Sequence, residues 1–290
     1  MHLIFKIYFF LSLPLYALGT QFLVAPYNAN ELGVGSHPTY SSLSSLNPAL
    51  YSEQKNNSSL MVNRGNWIGD VSLNSLDYIQ KINDKTFYFG TRYSALSDLE
   101  FRGEKPEDEP LGYFASYGLS FKSGLSLNRN NKRYGFSISY VSMGIYTEIS
   151  SGICLGFGYL VKLKEGLNIG FSFQNIGKMS PLDNQAPQFP MRLLMGSSKL
   201  FYFSSFSNKI YTSVELNSLN KNVKYKLNLG NKLTWKHIDI LSGFSISESI
   251  NYVSLGLNLN IKNYEISYGI NINSQNLGEP QILSLKFQLP

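Results

Sequence analysis

"NYEISYGININ", Asn263–Asn273, alternates almost without a break. Tyr264, Ile266, Tyr268, Ile270 and Ile272 point one way, while Asn263, Glu265, Ser267, Gly269, Asn271 and Asn273 point the other. A period of two marks a β-strand with one apolar and one polar face. Whether a second sheet or lipid covers the apolar face decides the fold. The same pattern recurs in "LNIGFSFQN" (167–175), "VKYKLNLGN" (223–231) and "NYVSLGLNLNI" (251–261).

Extended along the chain, the alternation predicts about fourteen strands, near 58–64, 67–80, 85–95, 113–127, 132–144, 148–162 and 166–175. The others fall near 190–203, 208–217, 222–232, 236–246, 250–261, 263–273 and 281–289. Many approach the roughly 9–11 residues that a tilted membrane strand needs. With the N-terminus on the inner side, the long connections Ser97–Gly112, Ile176–Pro190 and "SQNLGEP" all fall outside. The tight turns "NDK", "NRNNK", "KEG" and "IKN" fall inside. Long outer loops and short inner turns are the habit of outer-membrane barrels.

A secreted β-sandwich also alternates, but its solvent faces carry mainly charged residues and Thr. Here the polar faces are mostly Ser, Gly and Asn with a few Lys, which suits a barrel interior. Only 15% of the 290 residues are charged, against about a quarter in soluble domains. Closure removes exposed strand edges, and Tyr and Phe supply the rings that barrels place at both interfaces. The fold expected is therefore an all-β transmembrane antiparallel barrel of about 14 strands, in the outer membrane of a Gram-negative-type bacterium. Its last strand, "QILSLKFQLP", sets Phe287 near the terminus, where the insertion machinery reads an aromatic.

The net charge of +6 comes from scattered Lys and Arg, not from a basic run interleaved with aromatics, so nucleic acid is not an expected partner. A lone cysteine, Cys154, forms no internal disulfide and lies in a strand pattern as a small hydrophobe. "MHLIFKIYFFLSLPLYALG" reads as a signal peptide over 1–19: Lys6, an apolar run, then Ala17 and Gly19 before the cut. The run is too short to span a bilayer as a helix. Residues 20–57, rich in Ser, Asn, Pro and Gly and without a clear strand, form a separate N-terminal segment before the barrel at 58–290. They are too polar for a lipid-facing strand. Pro48 fixes its own φ and biases Asn47 toward an extended conformation.

Three stretches carry a resemblance to a known family: "ANELGVGSHPTYSSLSSLNPALYS", "LNIGFSFQNIGK" and "APQFPMRLLMGSSKL". The chain resembles the PorV/PorQ family of outer-membrane proteins, itself similar in fold to FadL-like fatty-acid channels. Asn47-Pro48-Ala49 match the family's N-terminal motif, with Leu46 and Leu50 in place of the flanking aromatic and Gly. Asn175-Ile176-Gly177 match a strand motif of the family, and the run from Phe189-Pro190-Met191-Arg192 to Gly196 matches a Pro-bearing turn motif. The resemblance implies a fourteen-stranded barrel with residues 20–57 folded inside it as a hatch or plug, Asn47, Pro48 and Ala49 among them. It also implies an accessory role in type IX secretion.

The histidines His2, His37 and His237 stand in no HExxH, Gly-X-Ser-X-Gly or Ser/His/Asp spacing, so no enzyme is expected and no cofactor or metal either. Candidate loop contacts are Glu104, Glu107 and Asp108 in the acidic "FRGEKPEDEPLG", and Met179, Leu182 and Phe189 in the Pro-stiffened 176–190 loop. Two function classes follow. One is a docking protein whose outer loops bind secretion-system proteins or secreted cargo, the reading that the small polar inward faces favour. The alternative is a plugged conduit for a small hydrophobic substrate such as a fatty acid. An apolar pocket between residues 20–57 and the barrel wall would favour transport.

Overall fold

The computed structural model describes residues 19–40, 46–53, 57–103, 108–183, 185–219, 222–248, 250–275 and 278–289. The expected signal segment, 1–18, lies outside them, as do Glu104 and Glu107. Fourteen strands follow one another. The first seven are β1 (Ser58–Trp67), β2 (Val71–Ile82), β3 (Lys85–Phe101), β4 (Gly112–Arg129), β5 (Lys132–Ile145), β6 (Glu148–Lys162) and β7 (Leu167–Met179). The second seven are β8 (Met191–Tyr202), β9 (Ser207–Leu219), β10 (Asn222–Trp235), β11 (Ile238–Ser247), β12 (Tyr252–Ile261), β13 (Tyr264–Asn273) and β14 (Gln281–Leu289). Each pairs antiparallel with its sequence neighbours, and β1 pairs with β14 from Ser58↔Leu289 to Asn66↔Gln281, closing the barrel.

β13 answers the question its sequence raises. Tyr264, Tyr268 and Ile272 are 54%, 42% and 48% exposed, whereas Ser267 and Asn271 on the polar face are buried. The apolar faces form the outside of the cylinder and the polar faces line it, the reverse of a water-soluble protein. An exposed apolar band of this extent requires lipid around it. The chain is a transmembrane barrel of the outer-membrane type.

β3 and β4 outgrow their expected lengths. Their pairing skips between Leu96 and Leu99, then resumes to Phe101↔Gly112, well beyond the end of β2. The skip changes which face each residue occupies, and that breaks the alternation by which strands are recognised. β7 likewise runs on to Met179. It pairs with β8 only as far as Gln174↔Arg192. There Asn175 turns into the left-handed region, with φ 61°, and its Nδ2 donates to the Pro190 carbonyl at 3.0 Å.

Within the lumen runs the N-terminal segment, with short 3-10 turns at Thr20–Leu23 and Pro48–Glu53 and one short helix, α1 (Ala29–Val34). Asn28 caps α1, its Oδ1 accepting from Glu31 N at 2.9 Å. Most described residues between Phe22 and Ser52 are buried.

Candidate functional site

Four pairs of inward-facing glycines, each pair directly opposed across neighbouring strands, make room for the segment's backbone. They are Gly135 and Gly158 on β5 and β6, Gly170 and Gly196 on β7 and β8, Gly230 and Gly243 on β10 and β11, and Gly256 and Gly269 on β12 and β13. A Cβ at Gly135 would meet Pro48 and Ala49; at Gly170, Pro38; at Gly243, the Val34 carbonyl; at Gly269, the Ala29 carbonyl. Glycine therefore stands where backbone meets backbone.

Polar bonds fix the segment between these saddles. Asn47 Nδ2 donates to Pro38 O at 2.8 Å and to Tyr159 O on β6 at 3.1 Å, while its Oδ1 accepts from Ala49 N at 3.0 Å. Pro48 and Ala49 are buried against β5 and β6. So Asn47, Pro48 and Ala49 lie together at the inner half of the lumen, joining two parts of the segment to the wall. His37 is buried. Its Nε2 donates to Val34 O at 3.1 Å, and its Nδ1 lies 3.0 Å from Ser213 Oγ. Burial, reinforced by the charge of Lys226, lowers its pKa to about 3, although the Val34 carbonyl opposes the shift. His37 is a neutral pin. His237 is exposed in the β10–β11 turn.

Residues 19–27 are held separately. Arg92 on β3 donates from Nη1 to Ala25 O at 2.9 Å and from Nη2 to Pro26 O at 3.1 Å, and its guanidinium lies 4.3 Å from the Tyr27 ring centroid. On the far wall Arg192 and Lys226 both pair with Glu215, at 2.9 and 3.2 Å, and Arg192 Nη2 donates to Ser36 Oγ at 3.0 Å. At the inner end Tyr51 stacks on Tyr88 with ring centroids 3.7 Å apart, against Met61 and Ile79. Glu53 pairs there with Arg133 and Lys162.

Above the segment an open cavity of about 570 Å³ reaches the outer rim, where Ile68, Gly69 and Ile250 line it. One side is apolar, formed by Phe22 and Leu32 of the segment with Trp67, Val71, Leu73 and Leu96 of the wall. The other side carries Glu215, Asn217, Lys224, Lys226 and Tyr252. Such a volume lies within the roughly 300–1,000 Å³ of small-molecule sites. Two further grooves, one beside Phe89 and Phe121 and one beside Met195 and Val214, lie on the lipid-facing wall.

The candidate loop residues part company. Met179 and Phe189 are buried with Phe22, Leu23 and Cys154, and Leu182 packs against the same cluster. The 176–190 connection therefore turns its apolar groups back over the barrel mouth instead of presenting them to a partner. Asp108 is exposed in the β3–β4 connection. Among the described residues no cluster of His, Cys, Asp and Glu could hold a metal ion. Sequence reasoning missed Arg92, Glu215 and the glycine pairs. Their signal was faint: single charges and repeated Gly on otherwise small polar faces.

No family model matches the chain, and no curated protein matches it. Solved structures do. The toluene transporter TodX of Pseudomonas putida is similar with a TM-score of 0.63 at 11% identity, over 90% of this chain and 96% of that one. The monoaromatic hydrocarbon channel CymD gives 0.61 at 10% identity, over 91% and 98%. CdiB from Acinetobacter baumannii gives 0.50 at 8% identity, over 81% and 60%. At such identities the likeness is one of fold. It is a likeness to outer-membrane β-barrels, and these three structures include no PorV or PorQ protein.

Proposed function

We propose that the chain is a plugged outer-membrane conduit for a small hydrophobic substrate, with residues 19–40 and 46–53 forming the plug. The observation that carries this reading is the cavity at the outer mouth, floored by Phe22 and Leu32 and walled by Trp67, Val71, Leu73 and Leu96. It is open outward and closed inward, as a first binding station must be. Burying an apolar ligand against that wall contributes roughly 25 cal/mol per Å² of surface removed from water. The fold likeness to a toluene transporter and to hydrocarbon channels supports the same reading. Onward passage requires the segment to move, since Tyr51 and Tyr88 fill the inner end. The docking reading, with secretion partners on the outer loops, loses support because Met179 and Phe189 face inward.

Trp67 provides the test, because it lines the cavity while Trp235 lies on the outer wall. In a Trp235→Phe background, toluene or a short-chain fatty acid should change Trp67 emission saturably. Leu73→Asn should weaken that response. A strictly linear response, or one indifferent to Leu73→Asn, would refute the assignment.

A further inference from the structure

The exposed charges are sorted along the barrel axis. All six inner hairpins carry an exposed cation: Lys85 for β2–β3, Arg129 and Lys132 for β4–β5, Lys164 for β6–β7, Lys199 for β8–β9, Lys236 for β10–β11 and Lys262 for β12–β13. Among the described residues, the exposed acids at that end are Asp84 and Glu165. The outer half is the opposite. Its connections expose acids such as Asp70, Asp98, Asp108, Glu148, Glu248 and Glu279, against the exposed cations Arg64, Arg102, Lys178 and Lys224. Among the described residues, none of the seven inner cations named forms an ion pair.

We propose that this inner collar binds the headgroups of anionic phospholipid in the leaflet around it. The cations encircle the barrel, whereas a docked protein would need them gathered on one side. Six of the seven also sit beside an outward apolar side chain: Phe87 close to Lys85, Tyr134 close to Lys132, Leu163 next to Lys164, Ile261 next to Lys262, and an aromatic ring beside each of Lys199 and Lys236. Lys199 Nζ lies 5.5 Å from the Phe201 ring centroid, and Lys236 Nζ lies 5.0 Å from that of Trp235. A ligand meeting both kinds of group has an acyl chain beneath a negative headgroup. Aromatic belts mark that depth, and the stems of Lys and Arg reach from it toward the phosphates. The collar thus matches a leaflet built of phospholipid and ties the short-turn side of the barrel to it.

The test uses the full chain in bilayers with spin-labelled lipids, comparing association of phosphatidylglycerol and phosphatidylcholine with the protein surface. At low ionic strength phosphatidylglycerol should be preferred by about fivefold. The preference should fall towards unity in 1 M NaCl, where the screening length shrinks to about 3 Å. It should also fall in K85Q/R129Q/K132Q/K164Q/K199Q/K236Q/K262Q, and persist when Asp70, Glu148 and Glu248 are replaced by Asn or Gln. Equal association at low salt would overturn the proposal, and would leave an acidic protein as the partner to seek. So would a preference indifferent to salt. The salt series needs only the unsubstituted chain, so a misfolded variant does not blunt the test.

Discussion

Asn47→Ala removes three hydrogen bonds at one stroke. Pro38 O and Tyr159 O lose a donor, at 2.8 and 3.1 Å, and Ala49 N loses an acceptor at 3.0 Å. Asn47 is fully buried, so water does not replace the amide while the segment stays docked. Each buried group left unsatisfied costs about 1–3 kcal/mol. Taking the low end for all three, docking weakens by on the order of 3 kcal/mol, roughly a hundredfold in the undocked population. Hydrogen–deuterium exchange of the full chain in micelles reads this directly. Amides of residues 46–53 should exchange roughly a hundredfold faster than in the unsubstituted protein, while β5, β6 and β12–β14 keep their protection. Unchanged protection of 46–53 would show that the amide does not hold the segment. Equal acceleration across the strands would show that the barrel, and not the segment, depends on it.

Three further outcomes follow from the lumen. Gly243→Leu would drive a side chain into the Val34 carbonyl; limited proteolysis should then cut within 29–40 while the barrel keeps its heat-resistant migration on gels. Arg92→Met leaves the Ala25 and Pro26 carbonyls unpaired, at a cost of about 2–4 kcal/mol; spin labels at residue 24 should become mobile while labels at residue 32 stay ordered. The pH dependence runs through His37, whose buried pKa of about 3 lies below the ordinary histidine value of about 6.5. The released segment binds a proton that the docked one refuses, so docking weakens as pH falls from about 6.5 towards 3, by up to about 1.4 kcal/mol per unit. His37→Gln should flatten that profile as measured by exchange of residues 34–40.

The barrel was legible in the sequence because lipid contact imposes strict alternation, as in Tyr264–Ile272 and Val253–Ile261. All fourteen strands stand close to their expected places. The alternation failed where registry did. The skip between Leu96 and Leu99 hid the outer part of β3, and Asn175 with its positive φ hid the end of β7. The cavity was less legible, since Phe22, Trp67, Leu96 and Tyr252 come together only on closure. The inward faces read as small and polar throughout, and their glycines suggested an ungreasy interior. In the structure those glycines are filled by Pro38, Val34 and Ala49, while the apolar wall is gathered from β1–β3 and the segment. Arg92 and Glu215 look in sequence like stray charges on strand faces; the partners of Arg92 lie far back along the chain at 25–26, while those of Glu215, Arg192 and Lys226, meet it only once β8 and β10 pair on either side of β9.

If the outer-mouth cavity receives an apolar molecule, anomalous diffraction from the full chain soaked with bromobenzene locates it directly. A bromine peak should stand between Phe22, Leu32, Trp67 and Leu73, and be absent when Leu73 is replaced by Asn. Bromine found solely in the lipid-facing grooves beside Phe89 or Met195, with the cavity empty at saturation, would contradict the conduit reading.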